Sequence, residues 1–147
     1  MVNLIENTLK SFLPPLEGFS AVPYWDHKQW SWGYGTRVPG STDNKDIRPS
    51  GNITRERALN DAMAHVEADY LKLEALVTIP LTANQWSALL SFSYNVGIGN
   101  ADNLVPNINA RAWTALEAQW KKYIYASGVV NQTLVARRNK EWSLWTS

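Results

Sequence analysis

Residues 82–97 read TANQWSALLSFSYNVG. Thr82 followed three positions later by Gln85 forms a capping box, in which a hydroxyl and an amide satisfy two of the backbone groups that a helix start leaves open. The run that follows is apolar or small nearly all the way round, through Trp86, Leu89, Leu90 and Phe92. A helix without a polar face has to be surrounded by other elements. This stretch therefore predicts a central buried helix with further helices packed about it.

The flanking sequence supplies those helices. Leu4, Ile5, Leu9, Phe12 and Leu13 recur at helical spacing behind Asn3 as N-cap, with Pro14 and Pro15 expected to interrupt the helix and Gly18 to reverse the chain. Thr54 heads a long helix whose apolar stripe runs Ala58, Leu59, Ala62, Met63, Val66, Tyr70, Leu73, Leu76, and Pro80 ends that stretch. A short segment near Leu104–Ile108 follows. Trp113, Leu116, Trp120, Tyr123 and Ile124 mark another helix, and Leu134 to Trp145 a last one.

Between the first two helices the period changes. Residues 17–36, EGFSAVPYWDHKQWSWGYGT, turn strand-like from Ala21 to Gly35, with Asp26-His27-Lys28-Gln29 as the hairpin turn. In the second strand Trp30, Trp32 and Tyr34 fall on one face and Gln29, Ser31, Gly33 and Gly35 on the other. The aromatic face suits the protein body. The Ser/Gly face is stripped of bulk, as where a ligand or another backbone comes close. Residues 37–52 then form a long polar Pro/Gly loop. The reading is a small β-hairpin lobe, a long connecting helix and a helical lobe, with a ligand-binding cleft between the lobes.

Composition removes several classes of function. At 147 residues, 45% apolar and 18% charged, the chain is one ordinary globular domain. A net charge of +1 does not point to nucleic acid. The charge is uneven: residues 110–147 hold six basic and two acidic side chains, a pattern of a solvated basic surface. Without cysteine there is no disulfide, thiol nucleophile or cysteine metal site. No apolar run reaches membrane-spanning length, and MVNLIENTLKSFLPP lacks the form of a signal peptide, so synthesis in the cytosol is expected.

Two carboxylates, Glu17 and Asp26, stand on different elements among aromatics. Glycosidic hydrolysis needs such a pair, one to protonate the leaving oxygen and one to activate water. Solvated surface positions are the plainer reading of the same two residues. His27 and His65 are the only histidines, with no Ser-His-Asp arrangement and no metal-ligand set around them. Arg137 and Arg138 stand at the spacing of surface ion pairs with Glu141.

Five pieces in chain order, EGF at 17–19, YWD at 24–26, SWGYGT at 31–36, TANQWSALLSFSYNVGIGN at 82–100 and QWKKYIYASGVVNQTLVARRNKEWSLW at 119–145, resemble the phage-type lysozymes, the endolysins of glycoside hydrolase family 24. The resemblance implies an α+β, lysozyme-like two-lobed fold within a single catalytic domain, 1–147. Its β-hairpin lobe would cover residues 17–53, and its helical lobe residues 80–147 together with helix 1. It implies a peptidoglycan hydrolase cleaving the β-1,4 bond between N-acetylmuramic acid and N-acetylglucosamine, with no cofactor and no metal. By position Glu17 matches the general acid and Asp26 the second carboxylate. Ser31 stands where the family usually has threonine, after a turn one residue shorter than in many members. Tyr94 and Asn95, with Asn103 after them, match sugar-contacting positions, and an arginine of the 137–138 pair is expected to approach Glu17. A monomer acting on glycan strands is implied, reaching the wall with the help of a separate holin-type protein. Two alternatives are a lytic transglycosylase, which needs only Glu17, and a non-catalytic peptidoglycan-binding module.

Overall fold

A computed structural model describes residues 1–147. The chain divides into two compact units, residues 10–65 and residues 1–9 with 66–147, and the division falls within the first helix and within the second. No helix is long and apolar enough to cross a membrane.

The unit of residues 10–65 holds the end of α1 (Asn3–Glu17), an antiparallel sheet of β1 (Ser20–Trp25), β2 (Trp30–Gly33) and β3 (Thr36–Arg37), and the start of α2 (Arg55–Glu74). Pro14 and Pro15 were expected to break α1; the helix instead runs through both to Glu17. A proline removes one N–H and crowds the carbonyl four residues back, which is most damaging in a helix interior. Here both lie in the final turn, Leu13 is fully buried beside them, and the Gly18 N–H closes the turn on the Pro14 carbonyl at 3.1 Å. Gly18, at φ 67°, then turns the chain into β1.

The hairpin pairs Tyr24 with Ser31 and Trp25 with Trp30, and its register is irregular between Ser20 and Tyr24. Pro23, which has no N–H to give a ladder, lies in that irregular stretch. Every residue of β2 is buried. The bare Ser/Gly face is explained in part by another element: a Cβ placed on Gly33 would lie 2.8 Å from the Ala58 Cβ of α2. The 37–52 loop is tied to the sheet, the Trp30 indole N–H donating to the Asn44 carbonyl at 2.9 Å and Arg48 to the Pro23 carbonyl at 2.9 Å.

The other unit is built on α3 (Ala83–Val96), whose residues Trp86 to Ser93 are all buried. The capping box at Thr82 and Gln85 is present in full. The helix packs on α7 (Gln132–Trp145), with α4 (Ile98–Asp102), α5 (Val105–Asn109) and α6 (Trp113–Trp120) completing the layer. Two expectations need correction. Tyr123 and Ile124 lie beyond α6 and lead into a hairpin, β4 (Tyr125–Ala126) and β5 (Val129–Val130), that the periodicity did not disclose. Two-residue strands are too short to show alternation; the signal was Ser127-Gly128, which takes consecutive positive φ values of 51° and 79°. Leu76 lies past the end of α2 and is exposed rather than part of its buried stripe.

Arg137, Arg138 and Glu141 also depart from the surface pairing expected of them, because all three are buried. Glu141 Oε2 accepts from Ser91 at 2.6 Å and lies 3.2 Å from Arg137 Nε, while Oε1 lies 2.8 Å from Arg138 Nε. Two guanidiniums share one carboxylate here. Part of the basic excess of residues 110–147 is therefore internal, not a solvated face.

Candidate active site

Three of the residues singled out by sequence, Glu17, Asp26 and Ser31, fall in the 10–65 unit. Glu17 is the last residue of α1, half-buried, and lines a cavity of about 330 Å³ with Gly18, Phe19, Ser20, Tyr24 and Gly33. That volume lies at the low end of small-molecule sites. Gly35, at φ 94°, runs close by: a Cβ there would lie 3.8 Å from the Tyr24 hydroxyl oxygen and 4.0 Å from Glu17 Oε2, ordinary contact distances.

Asp26 and Ser31 are locked together across the hairpin turn. The Asp26 N–H donates to the Gln29 carbonyl at 3.0 Å, and the Gln29 N–H returns to Asp26 Oδ1 at 3.1 Å. Ser31 Oγ donates to Asp26 Oδ2 at 2.5 Å and accepts from Gln29 Nε2 at 3.1 Å. Both carboxylate oxygens are thus held, which leaves the side chain one orientation. Ser31 is 0% exposed and its single proton is committed to Asp26. Its geometry is that of a group orienting the carboxylate from behind.

Two members of the group escaped the sequence reading. Gln29 is one: it braces Asp26 through its backbone and Ser31 through its amide. Tyr24 is the other. Burial first, then the nearby charges of Asp26 and Glu17, hold its phenol above the ordinary tyrosine range. The hydroxyl therefore stands within the field of both carboxylates. The signal was available, since Tyr24 lies two residues before Asp26 and is the cross-strand partner of Ser31.

The remaining expected positions lie in the other unit. Tyr94 and Asn95 are partly exposed near the end of α3, and Arg138 Nη2 donates to Asn95 Oδ1 at 2.7 Å, leaving the Asn95 amide hydrogens for another partner. Asn103 is exposed just after α4, its carbonyl accepting from Gln119 at 2.7 Å. His27 is in the hairpin turn at φ 83°, and His65 is exposed on α2. No three carboxylate, histidine or cysteine side chains gather as metal ligands.

The 10–65 unit thus holds one carboxylate at a helix end and a second, braced by a hydroxyl, in the hairpin turn. The sequence matches the phage lysozyme family over residues 15–141, and the chain belongs to that family. It is 31% identical over 144 residues to an endolysin of Bacillus phage PZA, covering 96% of this chain and 53% of the relative. The chain spans about half the length of the Bacillus phage endolysins it matches. Among solved structures, the muramidase domain of SpmX from Asticaccaulis excentricus superposes with a TM-score of 0.79 at 24% identity, covering 99% of this chain and 97% of that one. A P22 lysozyme mutant superposes with a TM-score of 0.75 at 21% identity, covering 100% and 98%. Helices combined with a small antiparallel sheet are thus the lysozyme-like α+β fold.

Proposed function

We propose that the chain is a peptidoglycan hydrolase, a muramidase that cleaves the β-1,4 bond between N-acetylmuramic acid and N-acetylglucosamine. The observation that carries this reading is the Asp26–Ser31–Gln29 lock, set in the same unit as Glu17 and its cavity. Glu17 is the general acid that protonates the leaving glycosidic oxygen. Asp26 is the base that takes a proton from water as the water attacks the anomeric carbon from the opposite face, which inverts the centre. Ser31 and Gln29 do not touch substrate; they keep the accepting oxygen of Asp26 aimed. Tyr24, between the two carboxylates, is placed to hydrogen-bond a sugar hydroxyl or the water. Asn95, its oxygen held by Arg138, offers an amide donor to an N-acetyl carbonyl, with Tyr94 and Asn103 as further sugar contacts. The protein acts as a monomer on the cell wall, and a separate membrane-permeabilising protein gives it access.

The test is clearing of permeabilised Gram-negative cells by wild type and by Glu17→Gln. Wild type clears the suspension and the variant, folded to the same melting temperature, does not. Equal clearing by the variant overturns the acid assignment. Mass spectrometry of the digest checks the water attack: reducing sugar ends are expected, and 1,6-anhydro ends would establish transglycosylation by Glu17 alone. Retention on murein without soluble fragments would establish a binding module instead.

A further inference from the structure

A second recess lies in the 66–147 unit, and none of its lining residues belongs to the group around Glu17 and Asp26. It measures about 370 Å³ and is lined by Gln85, Trp113, Trp142, Trp145, Thr146 and Ser147. Trp142 and Trp145, one turn apart on α7, stack with planes 13° apart and centroids 6.2 Å apart. Trp113, from the start of α6, leans on Trp145 at 6.1 Å and 59° and is 39% exposed.

The polar groups of the recess are pre-set. Thr82 N–H donates to Gln85 Oε1 at 3.0 Å, which fixes which way the amide points and leaves its NH₂ as a donor for a ligand. Thr146 Oγ1 gives its proton to the carbonyls of Trp142 and Ser143, so its lone pairs remain as acceptors. Ser147 Oγ donates to the Leu144 carbonyl at 2.7 Å and accepts from Asn84 at 2.9 Å. The recess therefore offers the exposed indole of Trp113 and the partly exposed indole of Trp142 over a buried Trp145, with one oriented amide donor and one hydroxyl acceptor.

A pyranose ring is the ligand that matches this set. Its two faces present polarised C–H bonds, which the electron-rich face of an indole attracts, and its rim carries hydroxyl groups that both donate and accept. A quaternary ammonium also favours aromatic walls; the Gln85 amide donor and the Thr146 acceptor, which a quaternary ammonium has no groups to meet, favour the sugar. The volume suits one or two rings. We infer that this tryptophan recess is a saccharide subsite that holds an N-acetylhexosamine ring of a β-1,4 glycan and is built from none of the residues around Glu17 and Asp26. The inference rests on the reading of the chain as a glycan hydrolase.

The experiment uses the full chain carrying Glu17→Gln, titrated with N-acetylglucosamine trimer while the tryptophan indole N–H signals are followed by NMR. Saturable shifts of Trp113, Trp142 and Trp145 are expected. Trp113→Ala, in the same background, should weaken that titration about tenfold, and Trp113→Tyr should restore most of it. Gln85→Glu keeps the oxygen that closes the capping box but removes the NH₂; it should also weaken binding at an unchanged melting temperature. Indole signals that stay still at millimolar trimer overturn the inference, as does equal response to tetramethylammonium chloride. Clearing by the wild-type chain is scored separately, so failure of the subsite is distinguishable from failure of the hydrolase reading.

Discussion

Replacing Gly33 by alanine tests the link between the sheet and α2. The residue sits at φ +59°, and the added Cβ would lie 2.8 Å from Ala58 Cβ, 3.5 Å from Ala58 Cα and 3.6 Å from Ile53 Cδ1. The left-handed backbone costs an L residue about 1–2 kcal/mol. Carbon atoms prefer roughly 3.5–4.0 Å, so α2 must retreat by about 1 Å, an overpacking of about 1–3 kcal/mol. Together these predict a loss of about 2–5 kcal/mol. At about 2–4 °C per kcal/mol for a chain of this size, melting should fall by about 4–20 °C. Thermal denaturation followed by far-ultraviolet circular dichroism measures it. The steric part separates from the backbone part in a double-mutant cycle with Ala58→Gly, which removes the opposing methyl. A coupling of about 1–3 kcal/mol is expected on top of the roughly 1 kcal/mol that glycine costs a helix. A Gly33→Ala protein that melts within about 1 °C of wild type, or a cycle without coupling, would refute the close approach.

Ser31→Ala removes a hydrogen bond to a charged group, valued at about 1.5–3 kcal/mol; kcat should drop about 10–150-fold with KM little changed, and Ser31→Thr should restore it. Wild-type turnover by Ser31→Ala would remove the orienting role. Tyr24 gives an alkaline prediction. Its phenol holds its proton more tightly folded than unfolded, so this contribution to stability is complete below the unfolded value of 10.0 and is lost as pH rises through the raised one. Tyr24→Phe should therefore lose less of its urea midpoint than wild type between about pH 8 and pH 11. The effect is modest because the ring is 39% exposed; equal losses would remove it. Glu141→Gln leaves two buried guanidiniums without their carboxylate and should destabilise by about 3–5 kcal/mol in urea denaturation. A change below about 1 kcal/mol would mean the guanidiniums reach water.

Where an element has its own signature, the sequence was a sound guide. The capping box and the unbroken apolar run of α3, and the four-residue turn after Trp25, appear where periodicity and turn chemistry put them. The failures share one cause, which is information carried by contacts rather than spacing. Pro14 and Pro15 look like a helix break until the final turn closes through Gly18. Arg137 and Arg138 have surface spacing, and it is partners from α3, Ser91 for Arg137 and Asn95 for Arg138, that make them internal. Of the candidate site, Glu17, Asp26 and Ser31 stood out in the sequence as candidates, and all three lie in the 10–65 unit. The direction of the Ser31 proton was not, because it depends on how the Asp26 carboxylate meets the second strand. Tyr24 and Gln29 were hidden as an ordinary strand aromatic and an ordinary turn residue.

The lock around Asp26 spans only six residues, 26 to 31, and every bond in it is made within one turn and one strand start. A residue inserted in the turn would part Asp26 from Gln29 while Ser31 keeps its place opposite Tyr24. Loops elsewhere can lengthen at small entropic expense. Lengthening this one calls for a new partner to hold the aspartate where Gln29 now does.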